Sequence, residues 1–182
     1  MTHDPPDVPD GEGLAALAMA LPPASPPAGL RERVLRSAAD TSRFASLVDR
    51  IAEMIDLGTD AVAKLVEKID DAAAWGAGPA PARLIHLPYG PRLAGVDVGF
   101  LHLPAGASFP HHRHLGDERA LVLQGAFRDS DGNIFRRGDV AFKPAGSEHE
   151  FTALPGPDLV KLVVLATGVE IDGYGTIRAD GT

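Results

Sequence analysis

Two stretches decide how this chain folds, GASFPHHRHLGDERALVLQG over residues 106–125 and GDVAFKPAGSEH over residues 138–149. In the first, His112 and His114 stand two residues apart. Side chains alternate between faces along a strand, so this spacing points both imidazoles to one side. Leu115-Gly116-Asp117 then turns the chain, and Glu118 can return to the same side. His149 comes from a later strand, after the turn Pro144-Ala145-Gly146-Ser147. Three imidazoles and one carboxylate that converge in this way suit one divalent ion, Zn, Fe, Mn or Ni. They leave a position open to water or a ligand, which marks a reactive site rather than a closed structural one. A lone His-x-His pair means little, whereas four ligand types and the turn residues between them, all in register, form a specific pattern. His111 faces the opposite way on the same strand and reads as a surface residue.

Working outward from Arg83, short apolar or alternating runs recur at 84–87, 96–103, 120–127, 134–135, 140–142, 150–153 and 159–166. Gly and Pro punctuate them at Gly90-Pro91, Gly106, Gly138, Pro144 and Pro155-Gly156, and Asp131-Gly132 is a hairpin signal. Strands this short and this regular predict an all-β sandwich or barrel. Val98, Phe100, Phe127 and Phe142 are the expected apolar lining of its interior. His86 and His102 lie on expected strands without partners and read as ordinary histidines. The stretch from Val169 on is Gly-rich and polar, an edge strand followed by a tail over 171–182.

The first half of the chain has another period. Residues 1–12 are acidic, rich in Pro and Gly, carry His3, and read as a disordered tail. A helical segment with a Pro-rich linker is expected over 13–76, in about four short helices. These run over Gly13–Leu21, then, after Pro22, Pro23, Pro26 and Pro27, from Leu30 to about Ala39, and then as a pair. In the first of that pair Phe44, Leu47, Val48, Ile51, Met54 and Ile55 keep helical spacing, with Thr41 as cap and Gly58 as the stop. In the second Val62, Leu65, Val66 and Ile69 share one side, and Trp75 closes the segment. The pair is expected to pack as a hairpin on the rest of the protein.

Composition sets bounds on function. The chain has 182 residues, 45% of them hydrophobic, enough for one compact domain with an appendage. It has no cysteine, which removes disulfides, thiolate nucleophiles and zinc–thiolate sites and fits a reducing cytoplasm. A net charge of −8 argues against a nucleic-acid surface. No apolar run is long enough for a membrane span, and Leu14–Leu21 follows acidic residues rather than the basic region of a signal peptide.

The two opening stretches resemble the paired motifs of the cupin superfamily, with Ala153 where the second motif commonly ends in Asn. That resemblance implies a mainly β fold, a double-stranded β-helix barrel over 83–170. It also implies one divalent metal ion held by His112, His114, Glu118 and His149, Glu118 being favoured over its neighbour Asp117 by the motif spacing. The corner glycines are expected at positive φ. HLGDE at 114–118, LVLQGAFRDSDG at 121–132 and KPAGSEHE at 143–150 are, more narrowly, similar to the cupin domain of ChrR-type anti-sigma factors. In those proteins an N-terminal zinc-binding helical domain grips an ECF sigma factor. LAMALPPASPPAGLRERVLRS at 17–37 is similar to the segment that often joins such a domain to the next part of the chain. The zinc site of that domain uses His and Cys, and this chain has no Cys.

The resemblance implies a cytoplasmic regulatory or sensor protein. Its metal would meet a small ligand or oxidant, and its helices would report to a protein partner, a sigma factor among the candidates. The alternative is a mononuclear cupin enzyme, a dioxygenase, isomerase or decarboxylase, acting on a small organic substrate. A homodimer is expected by analogy with cupins that pair through edge strands.

Overall fold

The structure, a computed structural model, describes residues 25–31 and 43–179. The acidic tail 1–12, the helix expected over Gly13–Leu21, most of the helix expected from Leu30 to Ala39, and the cap Thr41 lie outside the described residues. The chain divides into two units, Met1–Thr41 and Ser42–Thr182, and every strand among the described residues belongs to the second.

The second unit opens with the expected helix pair, α1 (Val48–Ile55) and α2 (Thr59–Glu67), preceded by one 3-10 turn and followed by two. Helical spacing puts Ile51 and Ile55 of α1 and Val62, Leu65 and Val66 of α2 on the buried side. The end of α1 differs from expectation. It stops at Asp56, which adopts the left-handed conformation with φ 57°, while Gly58 is an extended residue at the entry to α2 with φ −70°. Asp tolerates that conformation when its carboxylate is bonded, and here Arg92 supplies both its backbone N–H at 2.7 Å and its Nε at 2.5 Å.

Beyond the helices lie twelve strands: β1 (Gly76–Ala77), β2 (Arg83–His86), β3 (Val96–Leu103), β4 (Ser108–His114), β5 (Glu118–Gln124), β6 (Ala126–Asp129), β7 (Ile134–Arg136), β8 (Val140–Lys143), β9 (Glu148–Ala153), β10 (Leu159–Ala166), β11 (Gly168–Ile171) and β12 (Gly175–Arg178). They form two antiparallel sheets of order β1-β2-β3-β10-β5-β8 and β12-β11-β4-β9-β6-β7. Asp131-Gly132 turns the β6–β7 hairpin as expected, with Gly132 at φ 87°. The expected edge strand at the C-terminal end is β12, which pairs with β11 well inside the stretch read as a tail.

The two inner faces share one core. Leu101, Leu103, Ala120, Val122 and Leu165 from the first sheet meet Phe109, Phe127, Phe151, Val169 and Ile171 from the second. The outer face of the first sheet forms another core, where Val98, Phe100, Leu121 and Leu162 pack with Phe44, Ile51, Ile55 and Val62 of the helical segment. Each fully buried Leu, Ile or Phe contributes about 1.5–3 kcal/mol to this packing. Of the four expected lining residues, Phe127 faces inward. Val98 and Phe100 face the helices instead, and Phe142 is 53% exposed beside the buried Ala141. A shift of one residue reverses the side a strand residue faces, and it separates expectation from structure at these three positions.

The corner glycines Gly106, Gly125, Gly138 and Gly146 all have positive φ. Gly125 is doubly constrained: a Cβ there would lie 2.8 Å from the carbonyl oxygens of Pro157 and Asp158. The helical pair is tied to the barrel at its corners too. Arg50 donates to the Gly138 carbonyl at 2.5 Å and Arg43 to Gln124 Oε1 at 2.8 Å. No helix of the described residues is long and apolar enough to cross a membrane.

Candidate metal centre

β4 carries His112 and His114, and a register shift between Phe109 and His112 sets His112 directly across from His149 on β9. The alternation expected from the sequence holds: His112 and His114 are buried, His111 and Arg113 exposed. His149 is buried with them, and the three residues offer nitrogens that all lie within 4.8 Å of one another. Ring centroids are 4.4 Å apart for His112 and His149 and 4.9 Å for His112 and His114.

The protonation of the group is set by its surroundings. Burial pushes His112 down to about 4 and His149 down to about 3, and lowers His114 as well, so all three are neutral at neutral pH. Neutral imidazole is the form that ligates a metal. His112 Nδ1–H donates to the Pro110 carbonyl at 2.8 Å, which fixes the tautomer and leaves Nε2 with a free lone pair. Nε2 of His114 lies 3.1 Å from Nε2 of His149, while the Nδ1 atoms of both are buried without a hydrogen-bond partner. An unpaired buried polar atom costs about 1–3 kcal/mol. Clustered, neutral and with hydrogen-bonding capacity unspent, these side chains fit a divalent cation.

Glu118, at the start of β5, is buried beside the cluster rather than within the three-histidine group. Its Oε2 is 3.8 Å from His114 Nδ1, and its Oε1 is 3.4 Å from the Nζ of Lys161. Burial is the strongest single influence and works to raise its pKa, but the adjacent ammonium of Lys161, together with His114, His112 and His149, outweighs it and holds the carboxyl below the usual range. Glu118 is therefore an ionised carboxylate facing the histidines. Its competitor Asp117 is exposed and serves the turn, where Oδ1 accepts from Ala145 N–H at 2.9 Å. His86 pairs with Asp97 and His102 with Asp158, away from the cluster. His111 lies on the surface near Asp172 and Glu148.

Lys161 carries no motif that marks it in the sequence, and it is the buried cation of the site. Its Nζ sits 4.2 Å from the Phe151 ring centroid and 5.5 Å from that of Phe127. One signal could have found it: Lys161 is the lone charged residue of the apolar run Leu159–Ala166. Beside it runs a small apolar cavity of about 70 Å³, whose polar lining comprises His112, Glu118 and Lys161, with Asp97 and the exposed His86.

Two antiparallel sheets with a buried histidine cluster between them are those of a cupin. The chain belongs to the family of ChrR cupin-like domains, whose model matches residues 66–167. The anti-sigma-E factor ChrR of Cereibacter sphaeroides is 42% identical over 74 residues, 41% of this chain and 34% of that protein. The chain thus matches about a third of the length of that curated relative. Among solved structures, Rhodobacter sphaeroides SigE in complex with the anti-sigma ChrR aligns over 83% of this chain and 73% of that one, with 26% identity and a TM-score of 0.53. An acetylacetone dioxygenase from Acinetobacter johnsonii aligns over 60% of this chain and 83% of its own, with 17% identity and a TM-score of 0.51, a likeness of fold alone.

Proposed function

We propose that this chain is a regulatory cupin that holds one divalent ion on His112, His114 and His149, with Glu118 as the fourth ligand. The observation that carries this reading is the group of three buried, neutral imidazoles with nitrogens within 4.8 Å of one another. When bound, the ion supplies a Lewis acid with a position open to a small ligand or oxidant. His112 is oriented by Pro110, and Glu118 brings the negative charge that offsets the cation. Kinship with ChrR supports the regulatory role, and by that kinship the partner is an ECF sigma factor. Cytoplasmic placement and a homodimer belong to the same proposal.

Elemental analysis of protein purified without chelator tests the site. We expect one equivalent of metal per chain in the wild type, and loss of it in His112→Ala and His149→Ala with circular dichroism unchanged. A metal-free wild type that takes up none on dialysis against zinc or iron would overturn the reading. Gel filtration with the ECF sigma factors of the same genome tests the partner, and failure to co-elute with any of them would remove it.

The apolar cavity beside His112 and Glu118 favours one alternative, a mononuclear metal enzyme acting on a small organic substrate. Oxygen uptake or product formation by the iron-loaded protein separates the two. Turnover of a candidate substrate supports the enzyme, and zinc as the resident metal with no turnover supports the regulator.

A further inference from the structure

A lysine with 3% of its surface exposed needs a counter-charge, and in this structure Glu118 supplies it. Glu118 is also the carboxylate proposed for the metal. One carboxylate then faces both a divalent ion and an ammonium, while the three histidines are neutral and add no negative charge. The other buried carboxylate among the described residues does not help: Asp129 is taken by Lys143 at 3.0 Å and by Asn133. Asp97 also lines the cavity and is bonded there to the exposed His86 at 2.9 Å. Even with Asp97 counted, a divalent ion and the Lys161 ammonium outnumber the carboxylates, so the metal-loaded cavity carries a surplus of positive charge among walls that are otherwise mainly apolar.

We propose that this surplus is a binding determinant: the loaded cavity takes a small organic carboxylate, with its anionic head on Lys161 and its apolar body along Leu101, Val163, Val169, Ile171 and Ile177. The inference deepens the regulatory reading by giving its ligand a chemical class, and it rests on the metal site proposed there. Three features specify the ligand. Lys161 lines the cavity together with His112 and Glu118, so an anion in that space meets the lysine beside the metal site. Phe151, with its face 4.2 Å from the ammonium, holds the lysine in place without neutralising it. The side chains beyond are apolar, aliphatic ones together with Phe109 and Phe151, so a charged head with a small hydrocarbon body matches the lining and a polar sugar or a peptide does not.

The test uses the full-length protein loaded with zinc, titrated calorimetrically with butyrate and with butyramide, which has nearly the same shape and no charge. Butyrate is expected to bind roughly tenfold or more tighter than butyramide. In Lys161→Met, which keeps side-chain length and removes the charge, that preference is expected to vanish while bound zinc, measured by elemental analysis, is retained. Equal binding of the two compounds to zinc-loaded wild type, or a preference that survives in Lys161→Met, would overturn the inference. Should Lys161→Met fail to fold, Lys161→Gln takes its place, and the wild-type comparison alone still decides against the inference if it shows no preference. Failure of the metal site reads out separately, as protein that retains no zinc before any titration begins.

Discussion

Asp129 is a carboxylate with none of its side chain exposed, and its neighbours decide its charge. Burial works to raise its pKa, but donors from Lys143 at 3.0 Å and from the side chain and backbone of Asn133 outweigh it and hold the group below 3.8. A depressed carboxylate contributes stability that is present above its ordinary value and lost as pH falls through the folded one. Asp129→Asn should therefore lose about 1–3 kcal/mol at neutral pH. In urea titrations the gap to wild type should close as pH drops below 3.8, and a gap independent of pH would refute this. The histidines run the same way from a higher starting point. In the metal-stripped protein the unfolded chain takes up protons at about 6.5, the folded one at His112 only at about 4 and at His149 at about 3. Stability is then full above 6.5 and falls through the window from 6.5 toward those values. The melting temperature of chelator-treated wild type should drop between neutral pH and about pH 5 more steeply than that of the His112→Asn, His149→Asn double variant. Equal slopes would sink the idea. The histidines were legible in the sequence because strand alternation puts His112 and His114 on one face whatever the details of pairing. Lys161 was not, since an apolar run gives no sign of which neighbour a charge inside it will meet.

Elements were easier to find than to orient. β3 and β10 were legible over their whole length as apolar runs bounded by turns, yet both faces of these strands are buried, one by the barrel and one by the helices. A strand buried on both sides carries no alternation from which to read its inward face. That is the physical reason Val98 and Phe100 turned out to pack on α1 and α2. At β8 the same ambiguity meets a different neighbour: the helices do not cover Phe142, which is left exposed. The stop of α1 falls at Asp56 rather than Gly58 because Asp56 relies on Arg92, thirty-six residues away, and no local signal reports a distant donor. Two substitutions test the elements as they stand. Ile51→Ala, at a fully buried position against the outer face of the sheet, should cost about 2–5 kcal/mol in denaturant unfolding. Gly125→Ala combines a positive φ with a Cβ that meets backbone, so a loss of about 1–3 kcal/mol is expected, and a neutral result would show that the β5–β6 corner yields.

For the second unit as a whole, the question is whether helices and barrel are separate pieces. One core answers it: Ile51, Ile55, Val62 and Val66 share a cluster with Val98, Phe100, Leu121 and Leu162, so neither part buries its apolar face without the other. Trp75, the sole tryptophan, stands at the junction, where its Nε1–H donates to the Ile69 carbonyl at 3.0 Å and its own carbonyl accepts from Arg83 at 2.8 Å. Its ring lies 5.5 Å from that of His102 on β3. Tryptophan fluorescence thus reports the seam, while far-ultraviolet circular dichroism reports helices and strands together. The two probes should give superimposable urea transitions, as a single cooperative unit requires. Metal binding acts on that unit through mass action, by about 2.7 kcal/mol at a free concentration a hundredfold above its Kd. Since the histidines sit on the inner face and Trp75 at the outer seam, saturation with zinc should displace both transitions by the same amount. A shift in circular dichroism with the fluorescence midpoint left behind would mean that the helices come away while the loaded barrel stands. A regulatory signal that passes from the metal to a partner on the helices needs the opposite result, because only a shared equilibrium lets an event inside the barrel be felt on its outer face.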